Sequence, residues 1–221
     1  MNELVFLEPN KIDAIPFTTS KVIADFSGVR HDKVKAAINK HKKVIETFGL
    51  LTPHEVESMF GRPESIYKLN EQQATFLMTL LKNTPIVIEF KRRLVEQFYA
   101  MRTELMKRRT YRDELKPIRR ELTDVIQIMD ADNIWAYKQY TDLAYKAVTG
   151  KIAKKLREER GANKTAAAID YMSSDEIQKV ARKQSQIAVL RDMGMDYEQI
   201  KALVFHKVIP QIRVTQGGEA Q

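Results

Sequence analysis

The stretch TTSKVIADFSGVRHDKVKAAINKHKK, residues 18–43, decides how this chain is read. Thr18, Thr19 and Ser20 supply oxygens that can cap a helix start. Val22, Ile23 and Phe26 give that helix one apolar face. Ser27 and Gly28 stop it, and Gly28 can take the positive φ of a sharp turn between helices. A second helix is expected from about Arg30, with Val34, Ala37, Ile38 and His41 facing inward. Between 30 and 43 the chain places six Lys/Arg and two His. The pattern is helix, short glycine turn, helix, the outline of a helix-turn-helix.

The neighbouring residues extend the outline. HEVESMF (54–60) and SIYKL (65–69) read as two strands, joined by a turn at Gly61, Arg62, Pro63 and Glu64. A hairpin after a helix-turn-helix makes a winged domain. Upstream, LVFL (4–7) and AIPF (14–17) read as a strand pair, with Pro16 confining it to a sheet edge. Downstream, Asn70 caps a helix carrying Ala74, Leu77, Met78 and Leu81 on one side. Thr84 and Pro85 open the next helix. Its Leu94, Phe98, Met101 and Leu105 are spaced four, three, four, as in a short coiled-coil seam. That stripe is open to two uses: packing on its own domain, or pairing with a second copy.

The charged segment MKRRTYRDELKP (106–117) marks the expected boundary between a domain at 1–110 and a helical domain at 111–210; the tail 211–221 is expected to be disordered. In the second half Leu115, Ile118, Leu122, Val125, Ile126 and Met129 share a helix face, which Asp130 to Asn133 interrupt. Gly150, Gly161 and Gly194 end the later helices. Ser173 and Glu176 fit a capping box. The predicted fold class is mainly α with a small β wing: a winged helix-turn-helix-like α+β domain followed by an all-α domain.

Composition narrows the function. The net charge is +8, and the first 110 residues hold 18 Lys/Arg against 13 Asp/Glu. A basic excess of this kind favours a polyanion. The chain has no Cys, so disulfides, thiolate metal sites and cysteine catalysis are excluded. His31, His41, His54 and His206 form no pair at metal-ligand spacing. Asp130, Asp132 and Asp142 read as helix-end and surface carboxylates rather than a metal cluster. No phosphate loop or nucleophile elbow is present. No catalytic residue, metal or cofactor is expected, nor a membrane partner.

The candidate DNA contacts are Ser20, Lys21, Arg30, His31, Lys33, Lys35, Asn39, Lys40, Lys42, Lys43 and Arg62. A helix set by a glycine turn can enter the major groove, where Arg suits guanine, Asn suits adenine, and the later Lys reach phosphates. The bland alternative is a solvated basic face; the turn before it and the wing after it favour the groove reading. The candidate oligomerisation residues are Leu94, Phe98, Met101 and Leu105.

The segment TTSKVIADFSGVRHDKVKAAINK, with its Arg30-His31 pair, resembles the opening motif of Rha-type phage regulatory proteins. SIYKLNEQQATFLM and IVIEFKRRLVEQFYAM, with Phe90-Lys91 and then Phe98 and Met101, resemble that family's closing part. The chain departs from the family at Glu71-Gln72-Gln73, where an acid-Gly-Phe is usual. YTDLAYKAVTGKIAKKLREERGA and its neighbours resemble the helical domain at the C-terminus of many phage antirepressors. These resemblances imply a phage or prophage regulator of lysogeny in the cytoplasm of a bacterial host. It would bind duplex DNA, or act on a phage or host repressor by direct contact, as a homodimer or higher oligomer.

Overall fold

A computed structural model describes residues 3–56 and 63–205. The chain divides into two compact units. The first holds 1–111 and 157–174; the second holds 112–156 and 175–221.

In the first unit, strand β1 (Phe17–Thr19) leads directly into helix α1 (Ser20–Ser27). Thr19 closes the strand and caps the helix: its hydroxyl accepts from the Val22 amide at 3.1 Å. Gly28 ends α1 in the left-handed region at φ 70°. Helix α2 (His31–Lys40) follows, then the short α3 (Lys42–Ile45). The expected single helix over 30–43 is thus two. The backbone leaves helical geometry at His41 (φ −108°, ψ 17°), whose ring packs edge-on against Phe76.

Strand β2 (Pro53–Val56) pairs antiparallel with β3 (Glu64–Asn70), bringing Val56 opposite Glu64. Glu64, expected in the turn, is therefore the first residue of a strand. The hairpin tip, with Arg62, lies outside the described residues. β3 is the central strand, because β1 pairs with its other edge, Thr18 opposite Leu69. The upstream strand pair reduces to one bridge between Phe6 and Phe17.

Helix α4 (Glu71–Leu80) opens with a reciprocal cap: Asn70 accepts from the Gln73 amide, and Gln73 accepts from the Asn70 amide. Gln73 is buried, and its side-chain amide also donates to the Gly49 carbonyl at 2.7 Å. Gln73 of the Glu71-Gln72-Gln73 run thus serves a capping box. Helix α5 (Pro85–Met129) then runs unbroken through 106–117, with Pro117 inside it. The charged composition there does not end the helix, because Lys, Arg and Glu are good helix formers.

The core of this unit gathers Leu4, Ile23, Val34, Ile38, Ile45, Leu69, Leu77, Phe90, Leu94 and Phe98. Leu94, Phe98 and Leu105 are almost fully buried and Met101 is half-buried. Their assignment to oligomerisation is corrected: the stripe faces its own domain, where the hydrophobic gain is already taken. Segment 157–174 is tied into this unit by polar side chains. The Ser174 amide and hydroxyl donate to Glu104 at 2.8 and 2.7 Å, Glu104 accepts from Arg108 at 2.8 Å, and Arg108 donates to Asn10 at 2.7 Å.

In the second unit, α6 (Ala136–Thr149) ends at Gly150 with φ 75°. Helix α7 (Ala153–Glu159) begins in this unit and ends in the segment 157–174, which belongs to the first unit and holds a 3-10 turn (Ala168–Tyr171) for which the residue pattern gives no signal. Helices α8 (Ser174–Asp192) and α9 (Tyr197–Phe205) complete the described residues. Leu122, Ile126, Tyr140, Leu143, Ile187, Ile200 and Val204 form the core of this unit. Asp130 accepts from Arg191 at 2.8 and 3.0 Å, and Asp142 accepts from the Ala153 amide. Both carboxylates thereby hold backbone turns in place. Trp135 and Tyr137 are exposed while Tyr140 and Tyr145 are buried, so the aromatic run of α6 does not form one cluster. Among the described residues, no helix is long and apolar enough to cross a membrane. The expected tail 211–221 lies outside the described residues.

Candidate nucleic-acid interface

The α1–α2 turn and β3 are tied together by a chain of polar side chains. Ser20 is fully buried at the start of α1. Its Oγ lies 2.9 Å from His31 Nε2 and accepts the Tyr67 backbone N–H at 3.0 Å. His31 Nδ1 lies 2.6 Å from Glu64 Oε1. With the neutral ring, Nδ1–H donates to Glu64 and Nε2 accepts the Ser20 hydroxyl proton, which leaves every group in the chain partnered. The hydrogen bond from His31 holds the Glu64 carboxyl below its ordinary value against the opposing effect of burial, and the nearby charges of Lys21 and Lys35 act in the same direction. This linked set fixes α1, α2 and the hairpin relative to one another.

The order serine, histidine, carboxylate matches that of a hydrolytic triad. Here it has a different use. Ser20 exposes no surface, and its oxygen already carries the Tyr67 N–H, so no substrate carbonyl can reach it.

Placing Ser20 and His31 among the DNA contacts is corrected on the same ground. The hydroxyl of Ser20 is inside, and the His31 side chain is only 10% exposed with both ring nitrogens engaged. Their polar atoms are engaged within the module, where they position the helix. The rest of the predicted set divides by exposure. On α2, Asp32, Lys33, Ala36, Asn39 and Lys40 face solvent, while Val34 and Ile38 are buried. Lys42 and Lys43 are exposed on α3, beyond the break at His41, and Lys42 lies 3.6 Å from Glu46. Lys21 bridges Asp25 at 3.2 Å and approaches Glu64 at 4.0 Å. Lys35 reaches the Ser65 carbonyl only at 3.5 Å, the long limit of a hydrogen bond. Arg30 is 80% exposed but turned onto Asp32 by two hydrogen bonds of 3.0 and 2.9 Å. A base edge would have to compete with that carboxylate.

Three residues escaped the sequence reading. Ala36 sits at the middle of the exposed face of α2, where the small side chain leaves the backbone open to close approach. Tyr67 donates its hydroxyl to Asn39 Oδ1 at 3.0 Å, which leaves the Asn39 amide hydrogens directed elsewhere. Glu64 anchors His31. None has a signal in a single sequence, since each acts through a partner about 30 residues away or through the smallness of its side chain.

Two helices joined by a tight glycine turn, packed on a three-stranded sheet, thus form a small α+β module with a basic outer face. Residues 18–103 match the family model described as phage regulatory protein Rha. No curated protein matches the chain.

Proposed function

We propose that this protein is a phage regulator whose first unit is a winged helix-turn-helix that binds duplex DNA, in the cytoplasm of the bacterial host and in the control of lysogeny. The observation that carries the reading is the outer face of α2. Lys33, Asn39 and Lys40 flank Ala36 on a helix whose orientation is set from below by Ser20, His31 and Glu64. A helix entering the major groove needs such a narrow, polar and preoriented face. Lys42 and Lys43 stand beside it for phosphates, and Asn39, held by Tyr67, is the candidate reader of adenine. The family match over 18–103 supports the same reading.

The test is titration of labelled duplex DNA with the full chain at several salt concentrations, using the protein's own promoter region and a random duplex. Binding should fall steeply with salt. Replacing Lys33, Lys40, Lys42 and Lys43 with Gln should weaken binding to both duplexes and reduce the salt slope by about one for each phosphate no longer neutralised. Asn39→Ala should narrow the difference between the two duplexes instead. Affinity unchanged by the four Lys substitutions would overturn the assignment.

A second reading rests on the second unit, which resembles the C-terminal domain of phage antirepressors. Ile134 is 85% exposed and Trp135 59%, next to each other at the start of α6. Exposed aromatics of this size are common protein contacts. In this reading the unit binds a phage or host repressor directly and releases it from its operator. Loss of repressor capture on Trp135→Ala, with DNA binding intact, is the expected outcome.

A further inference from the structure

Arg30 and Asp32 stand at the entry of α2 as one bonded unit. Arg30 Nε donates to Asp32 Oδ1 at 3.0 Å, and Arg30 Nη2 donates to Asp32 Oδ2 at 2.9 Å. These bonds take only the side edge of the planar guanidinium. Its end edge, formed by Nη1 and the second hydrogen of Nη2, keeps a parallel pair of donors in the same plane. Competition with Asp32 for Arg30 therefore concerns the side edge alone. A carboxylate accepts at about four sites and Arg30 fills two of them, so Asp32 keeps acceptor capacity. The two side chains are 80% and 54% exposed, and an exposed pair of this kind contributes little to stability. Asp32 also lies in line with Ala36 and Asn39, four and seven residues further along the exposed face of α2.

We propose that Arg30 and Asp32 read DNA together: the end edge of Arg30 pairs with N7 and O6 of a guanine, and Asp32 accepts an amino hydrogen from cytosine or adenine of the facing strand. The inference rests on the DNA-binding reading and adds Asp32 to it. The chemistry of the two groups selects these bases. Guanine is the base whose major-groove edge presents two adjacent acceptors, which match two parallel donors. Cytosine and adenine are the bases that present an amino group there. Asp32 fixes the guanidinium plane in advance, so less side-chain freedom is lost on binding. Its negative charge repels phosphates and the acceptor edges of guanine and thymine. Asp32 therefore lowers affinity for duplexes in general, and that loss is offset only where an amino group stands opposite. An acid on a basic face raises discrimination in this way. Lys33 and Lys40 flank the same line and supply the general attraction. Asp32 and Asn39 are about 10 Å apart along α2, roughly three base-pair steps.

The experiment uses the full chain to select duplexes from a randomised pool. The wild type is run beside Arg30→Lys, Asp32→Ala and Asn39→Ala, with circular dichroism to establish that each variant keeps its helix content. The wild type should enrich a guanine about three base pairs from the position that Asn39→Ala relaxes. Arg30→Lys keeps the charge and loses the fork. It should lower the preference for that guanine about ten- to hundredfold, with the salt slope unchanged. Asp32→Ala should relax one position of the facing strand, where the wild type selects cytosine or adenine, and should bind a random duplex more tightly. Two outcomes would overturn the proposal and leave the DNA-binding reading standing: Arg30→Lys and Asp32→Ala both selecting as sharply as the wild type, or Asp32→Ala weakening every duplex alike. A wild type that binds duplex DNA without enriching any sequence would do the same. A wild type that binds no duplex would overturn the DNA-binding reading and the proposal with it.

Discussion

Ser20 joins α1 to both of its neighbours: fully buried, it accepts the Tyr67 amide of β3 and bonds to the His31 ring of α2. Ser20→Ala leaves a buried amide and a ring nitrogen without partners, at a cost of roughly 1–3 kcal/mol. Chemical denaturation of the purified variant measures it directly. Glu64 makes a pH prediction. Its folded pKa is depressed, so the stability it contributes is present above its unfolded pKa and is lost as pH falls through the folded value. Glu64→Gln should therefore reduce stability at neutral pH and flatten its decline on the acid side; a variant retaining the full acid-side slope would refute this role. At φ 70° the Gly28 position is strained for any other residue, with open space around its missing Cβ. Gly28→Ala should cost about 1 kcal/mol, from backbone strain alone, and thermal unfolding reads that cost.

Along helix α5, Leu94 and Val95 are neighbours in sequence and opposite in fate: Leu94 is 2% exposed and Val95 48%. Leu94→Ala should destabilise the protein by about 2–5 kcal/mol, the range for a buried leucine replaced by a cavity. Val95→Ala should leave stability nearly unchanged. Paired denaturation curves decide the point. The apolar spacing of this helix was legible, but two stripes one residue apart have the same period. Periodicity cannot say which of them meets the core; the position of α4 does. The α2–α3 region has the same limit. Its glycine turn, caps and inward Val34 and Ile38 were visible from residue types. The break at His41, which puts Lys42 and Lys43 on a separate short helix, was not, because Lys42 and Lys43 are themselves good helix formers.

At the scale of the whole molecule, the unexpected feature is the return of 157–174 to the first unit. A fragment ending at residue 110 lacks this segment and with it the hydrogen bonds from Ser174 to Glu104. Burial pushes the Glu104 carboxyl up, but the hydrogen bonds from Arg108 and Ser174 outweigh it and leave the group below its ordinary value. Glu104→Ala should destabilise the first unit by roughly 2–3 kcal/mol, the scale of hydrogen bonds to a charged group. Hydrogen exchange on the full chain checks the location: amides of 17–70 should lose protection more than those of 175–205.

Residue types and their spacing were enough to place most of the helices, the β2–β3 pairing, the caps at Thr19, Asn70, Gly28 and Gly150, and the basic face at 30–43. These are local properties, set by backbone preference and by periods of two and 3.6 that recur within a few residues. Three things were decided only when distant segments met. His31 and Ser20 became positioning groups because Glu64 and Tyr67 arrived beside them from β3. The stripe at Leu94 turned inward because α4 and the N-terminal core lay on that side. Segment 157–174 joined the first unit because Glu104 offered its half-buried carboxylate to Ser174. Each depends on a partner between 11 and 93 residues away in the chain, a separation across which no local pattern carries information.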